Sequence, residues 1–382
     1  MAEGITRREG IALLAGLGLA TYGGGARAAS TPSLDAIARK SGRRFGSAVA
    51  WSAPGADAGS FANPAYAALI ERECGVLVPE NELKWQALRP DSKTFAFDRA
   101  DAILAYAERH GMATRGHNLL WHRPKWMPTW EESHDFGARP VAEAERLLTT
   151  HIETVMRRYR GRIASWDVVN EAVDPETGGL VEIALSRALG GAQHSVDLAF
   201  HTARATAPAA ELVYNDYMSW EAGNATHRAG VLRLLEGFRT RGVPVDALGV
   251  QSHLVTDGPD IAATVARQER DWRAFLDAVT AMGYRLLITE FDVRDNGLPV
   301  DPAVRDRAVA DYTRAYLDIM LDYAQLGDVL VWGMGDKYSW LQGFDPRDDG
   351  HPRRGCPYDA AFRATPMRAA IAAAFAAAPA RG

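Results

Sequence analysis

Two glutamates stand where an apolar run stops. Ser165-Trp166-Asp167-Val168-Val169 runs into Asn170-Glu171, and Arg285-Leu286-Leu287-Ile288-Thr289 runs into Glu290. Short runs rich in β-branched residues read as buried strands. A strand buried on both faces should not end in an amide and a carboxylate unless those groups point into something polar. Two carboxylates offer one chemistry above others: one protonates a leaving oxygen, and its partner attacks the carbon or activates water. That division of labour is the one glycoside hydrolysis needs.

The surrounding chain supplies what such a pair requires. Eight short apolar runs recur, at 45–51, 75–79, 112–117, 165–170, 211–214, 247–251, 285–290 and 329–332, separated by longer amphipathic stretches. Helices are expected at 141–159, 225–241 and 302–324, with a closing helix over 366–378. Pro302 just after Asp301 marks a helix start, and Gly242 and Gly283 mark stops. Eight strands alternating with helices predict an α/β fold, a single-domain (β/α)8 TIM barrel. A doubly wound open sheet is the competing architecture, but it would bring a Gly-rich phosphate loop after its first strand, and none is present.

In a barrel, the C-terminal ends of the strands carry the site. The second run ends in Glu80-Asn81 with Lys84 and Trp85 behind, and the third in His117 with Trp121 and His122 following. The fourth ends in Asn170-Glu171, the fifth in Asn215-Asp216 and the sixth in Gln251-Ser252-His253. The seventh ends in Glu290 and Asp292, and the eighth in Trp332 with Asp336, Lys337 and Trp340 next. One such residue is usually a satisfied polar cap; seven strand ends of this kind on one face imply a site. No metal or other cofactor is expected, because His and carboxylates are scattered one per strand, without an H-E-x-x-H or a Cys cluster.

Composition bounds the partners. The 382 residues carry a formal net charge of −5, which leaves no basic footprint for nucleic acid. Ten Trp suit either core packing or flat platforms for sugar rings. Trp51, Trp166 and Trp272 are read as packing. Cys74 and Cys356 are far apart and expected to be free thiols, Cys74 largely buried. Residues 1–29 read as a twin-arginine signal peptide: Arg7-Arg8 precede an apolar stretch of about ten residues, and Ala26-Arg27-Ala28 supplies small residues for cleavage. That stretch is too short to span a bilayer, which takes ~20 residues. Residues 30–382 would form the catalytic barrel of an exported bacterial protein, periplasmic or secreted, and a monomer.

Six segments in order, P-E-N-E-L-K-W (79–85), G-H-N-L-L-W-H (116–122), W-D-V-V-N-E-A (166–172), G-V-Q-S-H-L (249–254), I-T-E-F-D-V (288–293) and W-G-M-G-D-K-Y-S-W-L (332–341), resemble the glycoside hydrolase family 10 endo-β-1,4-xylanases. The resemblance covers about 45–378. It implies hydrolysis of internal β-1,4 bonds of xylan and xylo-oligosaccharides with retention, Glu171 as acid/base and Glu290 as nucleophile. It further implies that Glu80, Asn81 and Lys84 bind sugar hydroxyls on the non-reducing side, and that His117 and Asn170 contact the sugar under attack. Gln251 and His253 match residues around the nucleophile; Trp121, Trp332 and Trp340 match indoles that wall the site. Asp292 is expected to set the state of His253, which would hold Glu290 ionised by hydrogen bonding. Tyr214 and Asn215 are a strand-end pair with a plausible supporting role, and Asp167 a buried support.

One segment departs from the pattern. After G-H-N-L-L-W-H the chain reads Arg123-Pro124-Lys125-Trp126-Met127-Pro128-Thr129-Trp130, without the family's Gln, and the Pro/Trp pair aligns at 124/126 or at 128/130. Subsites on the non-reducing side are therefore open to change. The alternatives are another retaining β-1,4-glycanase of cellulase or mannanase type, separable by substrate, and a non-catalytic carbohydrate-binding protein, which would not need both glutamates.

Overall fold

Among the described residues nine strands form, and their pairing is parallel throughout. The computed structural model describes residues 31–381, so the expected signal peptide lies outside the described residues. The strands are β1 (Phe45–Val49), β2 (Val76–Pro79), β3 (Ala113–His117), β4 (Ile163–Asn170), β5 (Glu211–Asp216), β6 (Ala247–Val250), β7 (His253–Val255), β8 (Arg285–Arg294) and β9 (Leu326–Val331). Hydrogen bonds run β6-β5-β4-β3-β2-β1-β9-β8, and β6 pairs with β8 to close the ring. Eight strands therefore make a closed parallel (β/α)8 barrel, and β7 is a short addition above its rim. Closure leaves the barrel sheet without a free edge.

The helices between strands begin and end where local chemistry allows. Asn63, Asp260 and Asp301 each accept a hydrogen bond from a backbone N–H in the first turn of Pro64–Glu73, Ile261–Ala281 and Pro302–Leu321. Such caps satisfy donors that a helix start leaves unpaired. The helix Ala225–Arg241 stops at Gly242, whose φ of 69° is a left-handed value that costs glycine little. The helices Pro140–Arg158 and Pro366–Ala377 match their expected places within a residue or two. Their buried faces and the outer faces of the strands form the main core, with Trp166 and Trp272 inside it. Cys74 and Cys356 are both buried and free.

Two strands run on past their expected C-terminal ends, and both extensions position functional groups. β5 continues past Tyr214 through Asn215 and Asp216, which pair with Gly249 and Val250 of β6. A Cβ on Gly249 would lie 2.4 Å from Asn215 Oδ1, so glycine there leaves room for the amide. β8 continues past Glu290 to Arg294, because Asp292, Val293 and Arg294 pair with His253, Leu254 and Val255 of β7. An apolar run stops at the first charge, whereas a strand need only alternate. Phe291 and Val293 alternate with Glu290, Asp292 and Arg294, which is the period of a pleated strand.

Inside the barrel, beneath the site, the Arg115 guanidinium pairs with Asp167 at 2.6 Å, both groups fully buried. Asp167 also accepts from His117 Nδ1 at 2.9 Å. Asp167 is thus an ionic support four residues below Glu171 on β4.

Candidate active site

A cleft of about 830 Å³ opens at the C-terminal ends of the barrel strands. Glu171 and Glu290 both line it, as do Glu80, Asn81, Lys84, His117, Trp121, Asn170, Gln251, His253, Trp332 and Trp340. Asn215 and Asp292 stand behind this lining, each bonded to residues in it.

Glu171 sits one residue beyond β4 with φ +56°, a left-handed backbone that is uncommon for a residue with a side chain. The conformation is held from both sides. Glu171 N–H donates to Asn215 O at 2.8 Å, and Ala172 N–H to Tyr214 Oη at 3.2 Å. Tyr214 in turn bonds Asp216. On the carboxyl itself, Oε1 accepts from Gln251 Nε2 at 2.8 Å and from Asn170 Nδ2 at 3.2 Å. Burial is the largest influence on this group and pushes its pKa up; the charges of Asp216 and Glu290 add to the rise, against the hydrogen bond from Gln251.

Glu290 is buried as deeply but surrounded differently. Oε1 accepts from Asn215 Nδ2 at 2.8 Å, and His253 Nε2 lies 3.4 Å from Oε2. Burial alone would raise its pKa, but His117, His253 and Lys84 outweigh burial and hold it below the usual glutamate value. His253 acts on Glu290 through both a hydrogen bond and its charge. Burial disfavours its charge, yet Asp292 Oδ1 at 2.9 Å from Nδ1, together with Glu290, raises its pKa to about 9. Asp292 also accepts from Trp340 Nε1 at 2.6 Å, so one carboxylate orients the imidazole and an indole of the wall.

The two glutamates share one hydrogen-bonded chain. Asn215 Nδ2 reaches both Glu290 and Asn170 Oδ1, the latter at 2.8 Å, and Asn170 Nδ2 reaches Glu171. Thr289 Oγ donates to Asn215 Oδ1 at 2.6 Å and fixes which way the amide faces. Two buried carboxyls in one cleft, one biased toward its acid form and one toward its anion, are matched to a proton donor and a nucleophile.

On the other side of the cleft, Lys84 Nζ donates to Asn81 Oδ1 at 3.0 Å and lies 4.6 Å over the Trp121 ring. Burial lowers its pKa against the pull of the nearby glutamates. Burial likewise raises the pKa of Glu80. Trp332 packs edge-on to His117, with ring centroids 5.2 Å apart. Trp51 lies outside the cleft, under the Arg99 guanidinium.

The departing segment after β3 resolves into two fates. Trp126 stacks on Trp121 at 5.0 Å and faces the cleft, with Arg123, Pro124 and Lys125 beside it. Trp130 turns away, stacks on Trp85 and donates to Arg89 O at 2.9 Å. Sequence reasoning also missed Tyr217, Glu221, Arg294 and Phe344, which line the cleft. Tyr217 follows Asn215-Asp216 directly and could have been found as a strand-end residue. Arg294 could have been found by following the alternation of β8. Glu221 lies in a loop and Phe344 ends the one-turn helix Leu341–Phe344, and neither has a period to mark it.

Known proteins resemble this chain over most of its length. Residues 33–374 match the model of glycosyl hydrolase family 10. The endo-1,4-β-xylanase 1 of Gibberella zeae is 31% identical over 72% of this chain and 74% of its own. The endo-1,4-β-xylanase B of Thermotoga neapolitana is 30% identical over 77% and 78%. Among solved structures, xylanase 10B of Thermotoga petrophila in complex with xylobiose superposes with a TM-score of 0.77, at 28% identity over 90% of this chain and 97% of that one. A xylanase 10C variant of Cellvibrio japonicus in complex with xylopentaose gives 0.80, at 25% identity over 92% and 70%. With a family match from the first described helix to the last, this chain belongs to glycosyl hydrolase family 10.

Proposed function

We propose that the protein is a retaining endo-1,4-β-xylanase that hydrolyses internal xylosidic bonds of xylan, with Glu290 as nucleophile and Glu171 as general acid/base. The observation that carries the assignment of roles is the different surroundings of two buried glutamates in one cleft: an amide and an imidazole meet Glu290, whereas two amides meet Glu171. In the first step Glu290 attacks the anomeric carbon while Glu171 gives its proton to the departing glycosidic oxygen. Formation of the ester removes the negative charge from Glu290. Glu171, now anionic, faces one fewer like charge and takes a proton from water, which attacks the same carbon and releases Glu290.

The other groups serve binding and orientation. Asn170, held between Asn215 and Glu171, faces the sugar under attack, with His117 beside it. Glu80, Asn81 and Lys84 grip hydroxyls of the sugars on the non-reducing side, and Trp121, Trp332 and Trp340 wall the rings. Relatives named as endo-1,4-β-xylanases, and similar folds solved with xylobiose and xylopentaose, support xylan as the substrate. NMR product analysis on xylo-oligosaccharides tests the reading: β-configured products that later mutarotate, released from internal bonds, are expected. Faster initial hydrolysis of carboxymethylcellulose than of xylan would make the cellulase alternative the better one.

The Arg7-Arg8 segment supports export by the twin-arginine route, and cell fractionation with and without an Arg7→Lys, Arg8→Lys change tests it. Among the described residues no helix is long and apolar enough to cross a membrane. The catalytic unit is proposed to act as a monomer, which gel filtration tests.

A further inference from the structure

Resting on the xylan reading, one part of the cleft remains unaccounted for: its outer wall carries positive charge that a neutral xylose chain has nothing to meet. Lys125 is exposed on the cleft wall, and no carboxylate among the described residues pairs with it. Its ammonium lies 4.6 Å over the Trp126 ring and 5.7 Å from the centre of Phe344. Two aromatic faces hold a cation in place without neutralising it. Phe344 is itself 54% exposed, so its ring is open to the cleft.

Arg294 repeats the arrangement a short way along. Its guanidinium lies 5.4 Å over Trp340, whose ring packs on Phe344 at 4.7 Å. Arg294 Nε is buried and has no hydrogen-bond partner among the described residues. The nearest carboxylate, Asp345, stands 3.8 Å away and is shared with Arg353 at 3.0 Å. Arg123, by contrast, is occupied, donating to Val173 O at 2.6 Å and Tyr217 Oη at 2.9 Å. The bland alternative is that Lys125 and Arg294 merely cap aromatic rings at a wet surface. Against it stand their common place on the substrate cleft and a row of rings between them of the kind that carries sugar faces.

We propose that Lys125, Trp126, Phe344, Trp340 and Arg294 form a subsite for a carboxylate-bearing sugar, a uronic acid branch on the xylan backbone. The rings take the apolar face of the branch, Lys125 takes its carboxylate through a charge-assisted hydrogen bond, and Arg294 adds positive field at the far end of the row.

The test compares kcat/KM on three oligosaccharides of equal backbone length: linear, bearing one uronic acid, and bearing the same branch with its carboxyl reduced to the alcohol. The wild-type protein is expected to favour the acid over the reduced branch by about threefold to fivefold, the scale of a partly exposed charge pair. That ratio should fall to about one in Lys125→Ala and in ~1 M salt, where screening acts within ~3 Å. It should survive in Lys125→Arg and drop below one in Lys125→Glu. Arg294→Gln should lower it by about twofold. An acid-to-reduced ratio of one in the wild type with the linear substrate still cleaved, or a ratio untouched by Lys125→Glu, overturns the subsite and leaves the xylan reading standing. Failure to cleave any of the three overturns both.

Discussion

The floor of the cleft and its outer wall are built on different principles. On the floor, Glu171, Glu290, Asn170, Asn215 and Gln251 are all buried, and each is tied to another by hydrogen bonds. Their places follow from strand register, because β4, β5, β6 and β8 are adjacent in the barrel and their ends converge. On the wall, Lys125, Trp126 and Phe344 are at least partly exposed and rest on ring contacts between two short helical turns beyond the strand ends. A hydrogen-bonded floor fixes charge and proton position; an aromatic wall tolerates variation. The reaction should therefore reside in the floor and the choice among xylans in the wall.

The largest effect should come from removing either floor carboxylate, and the two losses should differ in kind. Glu290→Ala is expected to lower kcat on every substrate by at least on the order of 10⁴-fold, since no nucleophile remains. Glu171→Ala should cost ~10²–10⁴-fold on xylan but spare glycosylation of aryl xylosides with good leaving groups, which depart without a proton. Burst kinetics on such an aryl substrate would separate the two. Equal losses on both substrates would put the acid role elsewhere.

A smaller effect should follow from disturbing the charge bias rather than the carboxyls. Activity requires Glu290 ionised, so it falls as pH drops through the Glu290 pKa. It requires Glu171 protonated, so it falls as pH rises through the Glu171 pKa, giving a bell. His253 is held protonated to about pH 9 and keeps Glu290 acidic. His253→Gln should therefore move the acid limb of kcat/KM to higher pH, narrowing the bell from that side. An acid limb that stays in place would show that His253 does not control Glu290.

The smallest effect should lie on the wall. Trp126→Ala is expected to raise KM for long xylo-oligosaccharides by roughly twofold to tenfold, the worth of one aromatic contact, with kcat nearly preserved. A fall in kcat that matched the fall in kcat/KM would mean that the wall acts in the transition state, and the contrast between floor and wall would fail.

Much of the floor was legible in the chain because it obeys a local rule. A polar residue that stops a β-branched run is visible without knowing what it meets, so Asn170-Glu171, Gln251, His253 and Glu290 stood out. The eight-fold alternation of strand and helix was legible for the same reason: burial on two faces leaves an apolar run, and burial on one leaves a helical stripe. Strand ends were less so. β8 hides its last four residues behind a charge, and only pairing with β7 shows that Arg294 still belongs to the strand.

What the sequence by itself determined is therefore the fold class, the two carboxylates and the amides beside them, since each rests on residue type and short-range period. Only the tertiary structure decided that Asn215 bridges Asn170 and Glu290, and that Asp292 serves both His253 and Trp340. Only it chose Trp126 over Trp130 as the residue that faces the cleft. These depend on contacts between residues far apart in the chain, where side-chain direction and loop path, not local period, set the outcome. The loop after β3 could have presented either tryptophan; packing of Trp130 against Trp85 left Trp126, with Lys125 beside it, for the substrate.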